Sequence, residues 1–183
     1  MRRLILAALV PALLFSGAAL VRSGYTVWGN LQDNAAIRAL AEGQDVVLRK
    51  NADPRAIHAR ILFLAWRGKM AETQELLPRM AGSPPDLRSD AQFAIANARM
   101  RFAYDHIDAG RFEDATPEIE LAKSAYREAL RAEPGNRDAK VNLELAMRLV
   151  RDLPRPLAEG EEDPENQPRQ LWTDLPGMPR GAP

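Results

Sequence analysis

The sequence predicts an all-α protein, and three observations lead to that prediction. Apolar residues recur at intervals of three and four along most of the chain, which is the period of a helix buried on one face. Start and stop residues flank the periodic segments. An unbroken apolar run opens the chain, and a proline-rich segment closes it. We therefore expect a cytoplasmic N-terminus, membrane anchor and interface at 1–30, a helical domain at 31–153, and a disordered acidic tail at 154–183.

Length and composition exclude several classes of protein. The 183 residues fit one domain. The 25 basic and 25 acidic side chains give a net charge of zero, whereas nucleic-acid binding draws on a basic excess, so we predict no nucleic-acid partner. The absence of cysteine excludes disulfides, thiolate metal sites and thiol nucleophiles.

The N-terminal segment has the pattern of a single transmembrane helix. Arg2 and Arg3 precede an apolar run from Leu4 to Val21, whose length of about 18 residues is near the lower limit for crossing a bilayer. Positive charge on the cytoplasmic side orients the rest of the chain outward. We predict an inner-membrane anchor with the helical domain in the periplasm and with Tyr25 and Trp28 at the outer interface.

The same segment also has features of a secretory signal. Cleavage sites require small residues after a short apolar core, and residues 16–19 supply them. The apolar run continues past these residues to Val21, which favours the uncleaved anchor. A cleaved signal, leaving a soluble periplasmic protein, stays open as the alternative.

The next segments predict a helical hairpin. Leu31 to Lys50 has a loose helical spacing, and Asp53 followed by Pro54 is a typical helix start. That helix ends near Gly68, and a second helix, Lys69 to Met80, follows. Pro78 has to bend or end it, because an interior proline loses a backbone hydrogen bond.

A second hairpin is predicted after the break at residues 82–86. Leu87 to Ala109 carries two apolar stripes, as expected for an inner helix, and Gly110 ends it. The partner helix either begins directly after Gly110 and is two turns longer than usual, or begins late after an insertion. Thr116 before Pro117 is a start signal and favours the late start.

The last helix and the tail complete the chain. Asn136 to about Leu153 predicts a capping helix with a polar outer face. From Pro154 onward, recurrent prolines and an acidic cluster at 159–165 predict disorder. Leu171, Trp172 and Leu175 form an apolar island in this tail, which is either a docking motif or a remnant without function.

The segment from Ala122 to Leu149 resembles part of a tetratricopeptide (TPR) array. Ala122, Tyr126, Ala129 and Pro134 have the spacing of a second TPR helix, and Asn142 begins the Asn-Leu pair of the next first helix. The resemblance implies TPR-like antiparallel hairpins. Ligands of such arrays use the concave face lined by first helices, so Arg99 and Asn142 are predicted as partner contacts.

The sequence shows few groups suited to catalysis. Its two histidines, His58 and His106, lie on different predicted helices, and Asp105 and Asp108 beside His106 fit a capped helix end better than a metal or acid–base site. The tail carboxylates lack the pattern of a calcium loop. We predict no enzymatic activity and assign no catalytic, cofactor-binding or metal-binding residue.

The phrases ELAKSAYREALR, from Glu120, and NLELAMRL, from Asn142, carry a more specific likeness. With the N-terminal anchor, they resemble the MxaK family of methanol-oxidation accessory proteins and, less specifically, TPR proteins encoded beside MoxR-type ATPases and von Willebrand A-domain proteins. The resemblance implies a membrane-tethered periplasmic protein that assists maturation of methanol dehydrogenase, at the step of calcium insertion. Its partners would be that enzyme and other methanol-oxidation accessory proteins. The alternative is a general TPR adaptor of the cell envelope.

Overall fold

The computed structural model describes the backbone of residues 2–153 and the side chains of residues 12–153. All regular structure in this part is helical, which confirms the predicted all-α class. The predicted tail, with Leu171, Trp172 and Leu175, lies outside the described residues. The elements are α1 (Arg2–Ala41), α2 (Pro54–Trp66), α3 (Met70–Leu76), a 3-10 helix (Leu77–Met80), α4 (Pro85–Asp108), α5 (Phe112–Ala132) and α6 (Arg137–Asp152).

Helix α1 continues without interruption past residue 30 and ends at Ala41, and its last turns pack on α2. The helical spacing expected from Leu31 to Lys50 is therefore wrong beyond Ala41, where Gly43, with φ +85°, turns the chain out of the helix. Asp33, only 3% exposed, accepts hydrogen bonds from Arg49 Nε and from the backbone N–H of Asp53, each at 2.9 Å. The hydrogen bond from Arg49 lowers the pKa of Asp33 and keeps this carboxylate charged. Leu40 is buried against α2. The C-terminal part of α1 is therefore fixed to the loop that leads into α2.

Among the described residues, no helix combines the length and the apolarity that crossing a membrane requires. The predicted anchor from Leu4 to Val21 includes residues 4–11, whose side chains lie outside the described part.

Helices α2 and α3 form the expected hairpin. The Asp53 side chain accepts from the backbone N–H of Arg55 at 2.8 Å, so the predicted N-cap of α2 is confirmed. Pro78 ends α3 as expected, since the chain tightens into the 3-10 helix at Leu77. Gly68 in the turn has φ +73°, and a Cβ at this position would lie 2.7 Å from Phe102 Cζ of α4. The turn therefore requires glycine both for its backbone and for its contact with the next hairpin.

Helices α4 and α5 make the most extensive contact among the described elements. The preferred late start of α5 at Thr116 is wrong, because α5 begins at Phe112 and contains Pro117. The Thr116 hydroxyl donates to the Phe112 carbonyl at 3.2 Å, and Ala115 and Ile119 are fully buried on either side of the proline. This packing offsets the backbone hydrogen bond that the proline cannot donate.

Helix α6 closes the described part. The Asn136 side chain caps it by accepting from the backbone N–H of Ala139 at 2.9 Å. The Asn136 Nδ2 group also donates to Ser89 Oγ of α4 at 3.0 Å. Ala139 and Ala146 are completely buried, whereas the exposed residues include charged side chains and also Val141, Leu145 and Met147. The predicted position and amphipathic character of this helix are confirmed.

Candidate functional site

A groove of about 370 Å³ lies between α4 and α6. Tyr126 of α5, only 1% exposed, contributes to its lining. The polar lining consists of Asn97 and Arg101 from α4 and Asn142 from α6. Three consecutive helices therefore converge on one concave surface.

Two asparagine side chains are held in a defined orientation in this groove. Asn97 Oδ1 accepts from the Tyr126 hydroxyl at 2.6 Å and from Asn142 Nδ2 at 3.1 Å. Both lone pairs of this oxygen are thus engaged. Among the described residues, neither Asn97 Nδ2 nor Asn142 Oδ1 has a hydrogen-bond partner. The pair therefore presents one unused amide donor group and one unused acceptor.

Tyr126 orients the two asparagine side chains. Burial raises its pKa to about 12, so the phenol keeps its proton at any physiological pH and remains a donor to Asn97. Its ring packs at a tilt against Phe93, with centroids 5.9 Å apart. The asparagine pair is consequently oriented by a rigid, neutral group.

The outer part of the groove is aromatic and cationic. Tyr104 and Leu145 line it and are 48% and 52% exposed. Arg101 donates from Nη2 to the Ala65 carbonyl at 2.9 Å and lies over the Trp66 ring, 5.2 Å from its centroid. Among the described residues, Arg101 has no carboxylate within salt-bridge distance. Trp66 itself is 77% exposed, so it extends the apolar surface toward α2.

The structure separates the two contact residues predicted on the helices. Asn142 lines the groove, whereas Arg99 pairs with Glu118 of α5 at 3.0 Å and both side chains are largely covered. Arg99 therefore joins α4 to α5.

The two histidines lie apart from the groove lining. His106 Nδ1 accepts from Arg111 Nε at 3.2 Å, across the turn between α4 and α5. The Nε2 atom of His58 is buried and has no hydrogen-bond partner among the described residues. Burial lowers the pKa of His58, and this favours the neutral ring. In the described part of the chain, no three potential metal-ligating side chains lie together.

Comparison with protein-family models, with curated proteins and with solved structures gives no match for this chain.

Sequence reasoning missed Asn97, Arg101, Tyr104 and Trp66. Asn97 carried a signal, because an asparagine amid the apolar stripes of α4 requires a partner when the helix packs. Nothing in the sequence indicated that Trp66 and Tyr104 are exposed, because an aromatic residue at helical spacing is predicted to lie in the core.

Proposed function

We propose that this chain is a membrane-anchored, TPR-like scaffold that binds a partner protein in the groove between α4 and α6 and assists its assembly. The observation that supports this most is the groove itself. It combines an oriented pair of amides with the exposed side chains of Tyr104 and Leu145, and the exposed Trp66 lies beside it under Arg101. Exposed aromatic and aliphatic side chains that lie together on a surface are typical of protein-binding sites.

The hairpin arrangement supports the TPR-like part of the proposal. Helix α2 contacts α4, and α4 is joined to α6 through the bonds from Asn136 to Ser89 and from Asn142 to Asn97. Helices α2 and α4, the first helices of the two hairpins, therefore lie side by side, and α6 packs on α5. This succession of packed antiparallel helices resembles a solenoid, which binds ligands on its concave side.

Exposed side chains on α1 support the anchor. Leu13, Phe15, Leu20 and Val21 are among its most exposed large apolar residues. Tyr25 and Trp28, with ring centroids 6.1 Å apart, follow them on the same helix. An apolar helix followed by an aromatic pair suits a membrane segment that ends at a lipid–water interface.

The client is proposed from the resemblance to the MxaK family. It would be methanol dehydrogenase, with this chain acting in assembly at the step of calcium insertion and not as a calcium carrier. Deletion of the gene in its native host should leave the dehydrogenase polypeptide present but poorly active, with activity restored by added calcium. Normal dehydrogenase activity in the deletion strain would exclude methanol dehydrogenase as the client. Loss of assembly of a different cell-envelope complex in that strain would favour the general adaptor.

The role of the groove can be tested in the same strain. Leu145→Arg places a charge on the groove wall, whereas Met147→Arg places one on the same helix outside the groove lining, at a similar exposure of 45% against 52%. We expect only Met147→Arg to complement the deletion. Equal complementation by the two variants, with equal protein levels, would exclude the groove as the binding site.

A further inference from the structure

A basic loop joins α1 to α2, and we infer that its residues 49–53 dock on the headgroups of anionic phospholipids. This contact holds the helical domain against the membrane. The inference rests on the proposed membrane anchor, and it adds a second partner, the charged lipid surface, which an anchor by itself does not require.

The loop is held against α1 directly after the aromatic pair. The Arg49 guanidinium covers Gly29, where an added Cβ would lie 2.9 Å from Nη2. The backbone N–H of Asp53 donates to Asp33, which lies one turn further along α1, about 6 Å from Gly29. Gly29 follows Trp28, and a tryptophan at the end of a membrane segment lies among the lipid headgroups. The loop therefore lies next to the level of the headgroups.

The direction of α2 makes this loop the part of the hairpin nearest to the proposed membrane boundary. At the other end of α2, Arg67 donates from Nη2 to the Gly43 carbonyl at 2.7 Å. Helix α1 extends 12 residues from Gly29 to Ala41, which corresponds to about 18 Å. Helix α2 thus runs along α1 away from the aromatic pair, and its far end lies well beyond the headgroups.

Three cations surround the loop without a carboxylate partner among the described residues. Lys50 is exposed in the loop itself, and Arg22 is exposed on α1 directly after the apolar run. Arg79 of the 3-10 helix reaches the loop from the second side. Its Nη2 donates to the carbonyls of Arg49 and Lys50 at 3.0 and 3.1 Å. The same end of the hairpin therefore collects positive charge from three segments.

The carboxylates beside the loop are already engaged. Asp33 is paired with Arg49, and the Asp53 side chain caps α2 by accepting from the backbone N–H of Arg55. The chain as a whole has a net charge of zero, so the positive charge at the loop is a local excess. Phosphate groups of anionic lipids are the complementary surface at this depth, because lysine and arginine near such a surface bind it electrostatically.

Quenching of a fluorescent label by lipids that carry a nitroxide on the headgroup tests this contact. The chain has no cysteine, so Asn51→Cys places a single label in the loop, and Gln44→Cys places one in the turn at the far end of α2. The full chain is reconstituted into phosphatidylcholine vesicles with and without phosphatidylglycerol. We expect the label at position 51 to be quenched more strongly in the anionic vesicles, and the label at position 44 to be quenched weakly in both.

A matched pair of charge variants identifies the cause. Lys50→Gln should lower the ratio of docked to undocked loop about fivefold in anionic vesicles, as expected for one basic side chain at a charged membrane surface. Arg38→Gln removes an exposed cation of α1 that lies nine residues beyond Gly29, and it should leave the ratio unchanged. High salt should weaken the quenching at position 51 in the chain with native Lys50, because salt screens exposed charges.

The outcomes separate this inference from the proposed anchor. If the chain inserts into vesicles and resists alkaline extraction, but the label at position 51 is quenched equally with and without phosphatidylglycerol, the anchor stands and the lipid contact is wrong. Quenching that neither Lys50→Gln nor salt reduces would also overturn the contact. Equal quenching at positions 44 and 51 would refute the placement of the loop. A chain that alkali removes from the vesicles would overturn the anchor and the lipid contact together.

Discussion

Substitution of Gly68 by alanine tests how the two hairpins are joined. Gly68 has φ +73°, a conformation that costs an L-residue about 1–2 kcal/mol. The new methyl carbon would also lie 2.7 Å from Phe102 Cζ, and such overpacking costs about 1–3 kcal/mol. We therefore expect Gly68→Ala to lower the free energy of unfolding by about 2–5 kcal/mol, a large part of the about 5–15 kcal/mol typical of a domain.

The chain contains matched controls for each of these two costs. Gly110 also has φ +73°, but a Cβ there meets nothing within 4 Å, so Gly110→Ala isolates the backbone cost of about 1–2 kcal/mol. Gly135 has open space and no positive φ, and its substitution should change stability by less than about 0.5 kcal/mol. Phe102→Leu in the Gly68→Ala background should recover part of the loss, because the smaller side chain relieves the contact.

The measurement is urea denaturation of the full chain in detergent, followed by far-ultraviolet circular dichroism. The midpoint and slope together give the free energy of unfolding. Equal losses for Gly68→Ala and Gly110→Ala would refute the role of Phe102. No loss for Gly110→Ala would refute the backbone argument.

Two further expectations concern α1 and α5. Because Arg49 lowers the pKa of Asp33, this carboxylate stabilises the fold above its ordinary pKa of 3.8, and that contribution is lost as the pH falls through the lowered value. In urea titrations at several pH values, the difference in unfolding free energy between the wild type and Asp33→Asn should be constant near neutral pH and shrink in acid. The exposed control Asp108→Asn should differ little from the wild type at any pH. A difference for Asp33→Asn that stays constant down to pH 2 would contradict the role of this carboxylate. Pro117→Ala restores an N–H that can donate to the Glu113 carbonyl, so it should raise the free energy of unfolding by about 1–3 kcal/mol. A destabilised Pro117→Ala variant would show that the proline is itself required for the packing of α5.

Local signals explain which helix boundaries could be predicted from the sequence. Asp53, Pro78, Gly110 and Asn136 act on backbone groups within a few residues, and each marks a helix boundary as expected. The start of α5 was predicted wrongly, because Pro117 favours a helix start there, whereas burial of Ala115 and Ile119 favours a helix that begins earlier. Burial depends on residues far away in the chain, so tertiary packing overrode the local preference.

The candidate site could be predicted only in part. Asn142, predicted as a partner contact from its position in a repeat phrase, lines the groove, and its contact with a partner stays a prediction. Arg99 was chosen by the same reasoning, yet it is paired with Glu118. Helical spacing assigns a residue to a face of its own helix, but it does not say which neighbouring helix covers that face.

The sequence by itself determined the all-α class and the helix boundaries marked by Asp53, Pro78, Gly110 and Asn136, because helix periodicity and capping are local. Only the tertiary structure decided that the buried Asp33 accepts a hydrogen bond from Arg49, that α5 begins before Pro117, and that Asn142 donates a hydrogen bond to Asn97. Each of these depends on which side chains from distant segments fill the same space. This packing also determines which amide atoms of the groove are unused. Asn97 Oδ1 and Asn142 Nδ2 bond to each other, and this leaves the donor Asn97 Nδ2 and the acceptor Asn142 Oδ1.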